Sequence, residues 1–514
     1  MPAPDPIVTT SQGAYRGVRD GRVDVWKGIR YGAAPVGDLR WRRARPEQPH
    51  AGVIDALEFG PVCPQHRDPA IPLGPGVRMD DDCLFLNVSA PAGAYRRTGS
   101  RPVMVWLHGG AYVFGSGSQP LYDATRLVVD GDVVVVTLNY RLGALGFADF
   151  GSVAPDDARF ESNSALSDVL LALHWVRENI AAFGGDPGNV TVFGESAGGG
   201  LVTTLLTMPA ATGLFHQAIA QSSPATSVYD RTRAAAVCDR ILGVLDLTRD
   251  DVARLAELPT DTIVDAAMAV YAQVPETNPG TIAFAPVVDG DLVPRHPLDV
   301  FRAGESLPVP LLIGTNRDEA SVFKLMRSPI VPIAPAKIHE MFAAIAEEVP
   351  DIPLPDRERV EEVYAGLAPD AAGIGVAGDV AFRMPTLWLA VAHARRAPVF
   401  LYRFDFAPRL LRLLRIGAGH ATELPYVWGN FPTALRRVLF LLGGGEAGMA
   451  LSERMRRRWT RFARAGDPST RDLPWPPFTD SCRQTLLIDD EDCIVDDPDR
   501  ELRAAWGDDV LGFR

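Results

Sequence analysis

The sequence predicts an α/β protein in which a central, mostly parallel, twisted sheet carries helices on both faces. Three observations predict it. Short runs rich in β-branched, aliphatic or aromatic residues recur along the chain, each bounded by loop formers, as buried strands are. Stretches with helical apolar spacing alternate with them, the pattern of a sheet covered on both sides. The 514 residues are 47% hydrophobic and 22% charged, an ordinary globular balance with enough apolar surface for a large core.

Taken in order, residues 7–25 read as small antiparallel strands around turns at Gly13 and Gly21. Residues 103–107 and 133–138 are buried strands. Residues 164–182 then place Leu166, Val169, Leu170, Leu173 and Val176 or Ile180 at helical spacing and stop at Gly184-Gly185, which predicts a crossover helix. Further strands are expected at 190–193, 309–313 and 399–404. Helical stretches at about 231–268 and 336–393 interrupt them and are expected to lie over the active end of the sheet. No repeat or low-complexity linker divides the chain, so residues 1–514 are expected to form one domain carrying these insertions. Residues 453–465 set Met455, Trp459 and Phe462 on one face against Arg456 to Arg458, the pattern of a docked amphipathic helix.

A formal charge of -13 disfavours broad attraction to nucleic acid or to an anionic membrane. The longest apolar runs fall well short of the twenty or so residues that span a bilayer. The first fifteen residues lack the basic start and apolar stretch of a secretory signal, so a cytoplasmic location is expected. Five cysteines without CxxC spacing exclude a disulfide framework and a zinc knuckle. Cys63 and Cys83 bracket a loop rich in Pro and Gly; an oxidising compartment would permit a bridge, and a reducing cytosol favours two free thiols. No Walker, Rossmann or zinc spacing appears, so no metal or cofactor is expected.

The chemistry starts where strand 189–193 runs into Gly194-Glu195-Ser196-Ala197-Gly198 and then into the helix-like 200–208. This is the context of a nucleophile elbow, a strand-to-helix turn too tight for side chains at its flanking glycines. A serine nucleophile needs a base, and the base needs an orienting carboxylate. Strand 309–313 leads to Asp318-Glu319, either of which can serve by position. Among the downstream histidines, His216 lies in an apolar run and His393 on a helical segment, so both read as packed or surface groups. His420 follows strand 399–404 in a loop between Gly417-Ala418-Gly419 and Glu423-Leu424-Pro425, where it can reach over the sheet edge. Acyl transfer also needs backbone N–H groups aimed at the developing oxyanion. His108-Gly109-Gly110-Ala111 after strand 103–107 and the N–H of Ala197 supply candidates.

At these residues the chain resembles the type B carboxylesterases, the cholinesterase-like branch of the α/β hydrolases, and is especially similar to the bacterial para-nitrobenzyl esterases. The resemblance runs through Lys27-Gly28-Ile29-Arg30-Tyr31-Gly32, Asp82-Cys83-Leu84-Phe85-Leu86-Asn87-Val88, Asn139-Tyr140-Arg141-Leu142-Gly143, Phe183-Gly184-Gly185-Asp186-Pro187, the elbow, Gly429-Asn430 and Ala465-Gly466-Asp467-Pro468. It implies the α/β-hydrolase fold and a serine carboxylesterase. It also implies Glu319 as the acid, from the family's Asp-Glu-Gly motif, whose glycine is Ala320 here. His420 corresponds to the histidine of His-x-x-Glu-Leu-Pro, and the oxyanion donors correspond to Gly110, Ala111 and Ala197.

Cholinesterases carry a tryptophan in the loop corresponding to residues 63–83; this loop has no Phe, Tyr or Trp, so neutral esters are expected and choline esters are not. Tyr112, Phe114 and Phe323 are expected to wall the site. The leucine-rich stretches 409–415 and 435–442 have two readings. Leu410, Leu411, Leu413 and Leu414 either line or lid an acyl pocket, or belong to a small helix packed on the body with its arginines in water. The expected partner is a small-molecule ester, bound by a monomer or dimer, and the expected reaction is ester hydrolysis through an acyl-enzyme. The alternatives are an amide, carbamate or lactone substrate, and a non-catalytic binding protein on the same fold.

Overall fold

The computed structural model describes residues 5–97, 99–350, 354–355, 357–508 and 512–513. The chain opens with β1 (Ile7–Thr10), β2 (Gly13–Arg16), β3 (Val18–Asp20) and β4 (Val23–Arg30). β1 pairs antiparallel with β2, and β3 with β4 around Gly21, whose φ of +58° suits glycine. β5 (Val53–Asp55) joins β2 and β1 in a three-stranded sheet. β6 (Phe85–Pro91), β7 (Arg101–Leu107), β8 (Val134–Leu138) and β9 (Gly185–Glu195) follow. The series ends with β10 (Gln217–Gln221), β11 (Leu311–Asn316), β12 (Val399–Phe404), β13 (Gln484–Ile488) and β14 (Cys493–Asp496).

Eleven strands form one sheet in the order β14-β13-β12-β11-β10-β9-β7-β8-β6-β4-β3. The run from β13 to β8 is parallel. Antiparallel strands finish both edges. Side chains alternate across this sheet with period two. On one face Val103, Val105, Val134, Val136, Val190, Val192 and Leu311 share one apolar core with Leu166, Val169, Leu173 and Val176 of the helix Ser164–Asn179. On the other, Met104, Trp106, Phe193, Ile219, Leu312 and Phe400 meet the helix Gly445–Ala465 through Leu451, Met455, Trp459 and Phe462. Near-complete burial on both faces is why these strands read as unbroken apolar runs in the sequence.

The helix Gly445–Ala465 departs from expectation in one respect. Only Arg457 of its arginine run is exposed; Arg456 and Arg458 are buried and pair with Asp130 and Asp492. Buried arginines persist there because carboxylates accept from them. The expected insertions contain the helices Arg231–Val244 and Thr260–Thr277, and then Pro335–Glu348, Pro369–Gly378 and Met384–His393, the last two joined by a π-helical turn, Asp379–Arg383. Among the described residues one helical stretch, Ala371–His393, is long and apolar enough to cross a membrane by length and composition. Its most apolar window is 61% buried, so packing inside the fold accounts for that composition.

Strand order places the site. From β7 the chain steps to β8 on one side, and the helix Ser164–Asn179 then carries it back past β7 to β9 on the other. Where strand order reverses in this way, the crevice beyond the carboxyl ends of the strands is open to a ligand. Residues 108–111 follow β7 there, and Ser196 follows β9.

Candidate active site

Ser196 sits between β9 and the helix Ala197–Leu205 with φ 57° and ψ -125°. A non-glycine residue holds such a conformation only where its surroundings enforce it. The flanking glycines are part of that enforcement. A Cβ on Gly198 would lie 2.0 Å from the Leu107 carbonyl oxygen, and one on Gly194 would lie 2.6 Å from the Gly198 carbonyl carbon. The Ser196 N–H donates to the Gln221 carbonyl on β10 at 3.0 Å, and its own carbonyl accepts from Gly200 N–H at 2.9 Å. The elbow is thereby tied to the sheet on one side and to its helix on the other.

Glu319, buried just after β11, joins His420 Nδ1 through Oε2 at 2.7 Å. Its other oxygen accepts from Ser222 Oγ at 2.6 Å and from the Asn316 N–H at 2.7 Å. Full use of both oxygens fixes the carboxylate, and the carboxylate in turn fixes the imidazole. Asp318 accepts from Ala418 N–H at 2.9 Å and braces the histidine loop from outside. Ala320 begins the helix Ala320–Met326 and is not among the residues with positive φ, so alanine fits where the family motif carries glycine.

The far nitrogen of the ring, His420 Nε2, is buried and makes no hydrogen bond among the described residues. It lies 3.2 Å from Oε1 of Glu195, the residue before Ser196, and that oxygen is likewise without a hydrogen bond. Histidine and elbow are therefore adjacent, although no hydrogen bond joins Ser196 Oγ to the ring among the described residues.

Three buried carboxyls surround the imidazole. Burial pulls His420 down, but the charges of Glu195 and Glu319 outweigh it and lift the group from 6.5 to about 9. Burial holds the Glu195 carboxyl up at about 8, with the charge of His420 opposing. Glu423 is raised by burial too, with its bond from Asn316 opposing. Glu423 accepts from Gln221 Nε2 at 2.9 Å and from Asn316 Nδ2 at 2.6 Å, and Asn316 Nδ2 also reaches the Gly419 carbonyl at 2.6 Å. These bonds clasp the ends of β10 and β11 to the histidine loop.

The turn after β7 holds Gly110 at φ +119° and Ala111 at φ +52°. A Cβ on Gly110 would lie 2.2 Å from the Phe114 carbonyl oxygen, which makes glycine necessary there. Among the described residues the N–H groups of Gly110, Ala111 and Ala197 donate to no protein acceptor. His108 stacks on Tyr140 at 4.4 Å, and burial lowers its imidazole to about 4, so the ring beside the turn stays neutral.

Ala111, Tyr112, Ser196, Ala197 and Phe323 line one cleft enclosing about 850 Å³, part of it open to solvent. Its remaining walls are mostly apolar, with Ile282, Val331, Met341, Phe382 and Phe513 prominent, and no charged residue lines it among the described residues. Phe323 also faces the His420 ring at 4.9 Å. Phe114 lies outside this lining: its ring packs edge-on against Tyr271 at 5.7 Å because its backbone is wrapped around Gly110. The lid reading of the leucine stretch fails as well. None of Leu410, Leu411, Leu413 and Leu414 lines the cleft; Leu411 enters a small separate cluster, and Leu413 and Leu414 face water. Cys63 and Cys83 are both free and buried.

Several neighbours escape motif reading. The π-helical turn lays Phe382 against His420 at 4.7 Å and sends Arg383 to the Arg317 carbonyl at 2.8 Å, which holds the loop that carries Glu319. Ser222, Asn316 and Arg383 carry no local signature, because their roles depend on segments distant in sequence. Among the described residues no group of histidine, cysteine and carboxylate side chains could hold a metal ion.

Comparison with known proteins agrees with this architecture. The profile of the carboxylesterase family matches residues 4–506. The chain is similar to the para-nitrobenzyl esterase of Bacillus subtilis (strain 168), 38% identical over 498 residues, covering 97% of each chain. It is also similar to the acylcarnitine hydrolase of Rattus norvegicus, 32% identical, covering 98% of this chain and 90% of that one. A solved thermophilic PNB esterase superposes with a TM-score of 0.86 at 36% identity, over 98% of this chain and 100% of that one.

Proposed function

Because the chain belongs to the carboxylesterase family and is a carboxylesterase, we propose that it cleaves neutral, largely apolar esters through a serine acyl-enzyme built on Ser196, His420 and Glu319. The observation that carries this reading is the Glu319–His420 hydrogen bond, whose imidazole keeps Nε2 unpartnered beside the strained elbow. Ser196 Oγ attacks the ester carbonyl carbon while Nε2 takes its proton, and Glu319 stabilises the imidazolium. The carbonyl oxygen becomes an oxyanion facing the N–H groups of Gly110, Ala111 and Ala197, each worth about a hundredfold or more in rate. Collapse expels the alcohol, which leaves with the proton from His420. Water then attacks the acyl-enzyme by the same route and regenerates the serine.

The apolar, uncharged lining of the cleft supports neutral esters, because a charged substrate would lose its hydration there without a partner. The test is labelling by a serine-directed phosphonate together with ester turnover. Ser196→Ala is expected to lose the label and about 10³-fold or more in kcat while remaining folded. A folded variant that keeps either property would refute the assignment of the nucleophile.

A further inference from the structure

We propose that the two short helices Arg409–Leu413 and Thr433–Leu439, with the leucines that follow the second, form a docking face for an anionic lipid surface. Their hidden sides meet in one small apolar cluster of Ala407, Leu411, Ile416 and Leu439, so their other sides are left to the solvent. There Leu413 and Leu441 are 71% and 70% exposed, and Leu414, Val438 and Leu442 are exposed beside them. Solvent-facing aliphatic residues gathered on two adjoining segments are the mark of an interaction surface, whereas scattered single ones are not.

Charge identifies the occupant. Arg409, Arg412, Arg415, Arg436 and Arg437 are all exposed, and the only carboxylate from residue 409 to residue 442 is the buried Glu423. Arg412 pairs with Asp490 at 3.6 Å and with Asp489 at 3.9 Å; the other four make no ion pair among the described residues. The chain as a whole carries -13, which anionic headgroups repel, but this basic, leucine-bearing face is locally complementary to such headgroups above an acyl layer. Leucines can enter the headgroup boundary while guanidiniums bind phosphates in bidentate fashion. A second copy placed face to face on the same patch would set arginine against arginine, which disfavours self-association there.

The face lies one helix from the cleft. Val322 packs against the same small cluster, whereas its neighbour Phe323 lines the cleft and touches His420. Docking would hold the enzyme where apolar esters are concentrated, although lipid attachment itself does not depend on the catalytic reading.

Co-sedimentation of the full chain with vesicles of phosphatidylcholine, alone or in equal mixture with phosphatidylserine, tests the proposal. Pelleting is expected with the mixture and not with phosphatidylcholine alone. The double variant R436E/R437E is expected to weaken pelleting about 25-fold or more, at about fivefold per arginine. Leu413→Ser with Leu441→Ser is expected to weaken it about 100-fold or more. Both variants should hydrolyse a short water-soluble ester at the parental rate, which shows that they are folded. No pelleting with either vesicle, equal pelleting with both, or pelleting that survives both double variants would overturn the proposal. So would a dimer in sedimentation velocity that the leucine variant abolishes, since a second copy would then own the face.

Discussion

At the scale of single residues, the site turns on how one proton is held between buried groups. Glu195 and His420 both bind protons more tightly in the folded chain than their ordinary values of 4.5 and 6.5 would give. The stability each contributes is complete below its ordinary value and is lost as pH rises through about 8 and about 9 respectively. Glu195→Gln removes a charge 3.2 Å from Nε2 and leaves Glu319 in place. We expect the acidic limb of the kcat/KM profile to move down by about one unit, the low end of the range for a nearby carboxylate, because burial keeps Glu195 protonated through much of the titration. The loss of thermal midpoint between pH 7 and 9 should shrink in the same variant. An unmoved limb in a pH–rate series would show that Glu195 does not act on the imidazole. The elbow at Ser196 was legible from its flanking glycines, and the position of His420 beside the elbow from its loop. The three buried carboxyls were not legible as a group, since a glutamate inside a motif looks the same in sequence whether it meets water or an imidazole.

At the scale of elements, short segments carry most of the precision. Ala320 starts a helix with ordinary backbone geometry, so Ala320→Gly is expected to cost about 1 kcal/mol of stability and leave kcat within about twofold. Chemical denaturation and steady-state kinetics read the two effects separately; a several-fold gain in kcat would mean that alanine strains the acid loop. The five strands expected from apolar runs are present as β7, β8, β9, β11 and β12, with ends moved by a few residues. β10 was missed because it is five residues long with a glutamine at each end, Gln217 and Gln221. Only the fold reveals that Gln221 is buried as part of a polar clasp. The π-helical turn was invisible for a similar reason: its sequence, Asp379 to Arg383, differs from an ordinary helix only in what its side chains must reach.

At the scale of the whole molecule, a few buried ion pairs stitch distant segments together. Arg141, in the loop after β8, pairs with Asp168 on the helix Ser164–Asn179 at 2.6 Å, with both side chains almost fully buried. Its guanidinium also donates to the Arg42 and Ser164 carbonyls at 2.7 and 3.0 Å. Asp168→Ala would strand that cation, and a loss of about 3–5 kcal/mol is expected in urea unfolding. A loss below about 1 kcal/mol would show that water or a local rearrangement compensates. Layering followed from sequence periodicity, whereas strand order and the loss of a leucine lid did not, because amphipathic spacing says that a helix has a wet side without saying what it faces. The clasp of Gln221, Asn316 and Glu423 has a further consequence for engineering. It anchors the loop of His420 to neighbouring strand ends, while much of the pocket wall is borrowed from the helical excursion between β11 and β12. Transplanting a different excursion at that junction should therefore alter which esters gain entry yet leave intact the turnover of an ester small enough to ignore the wall.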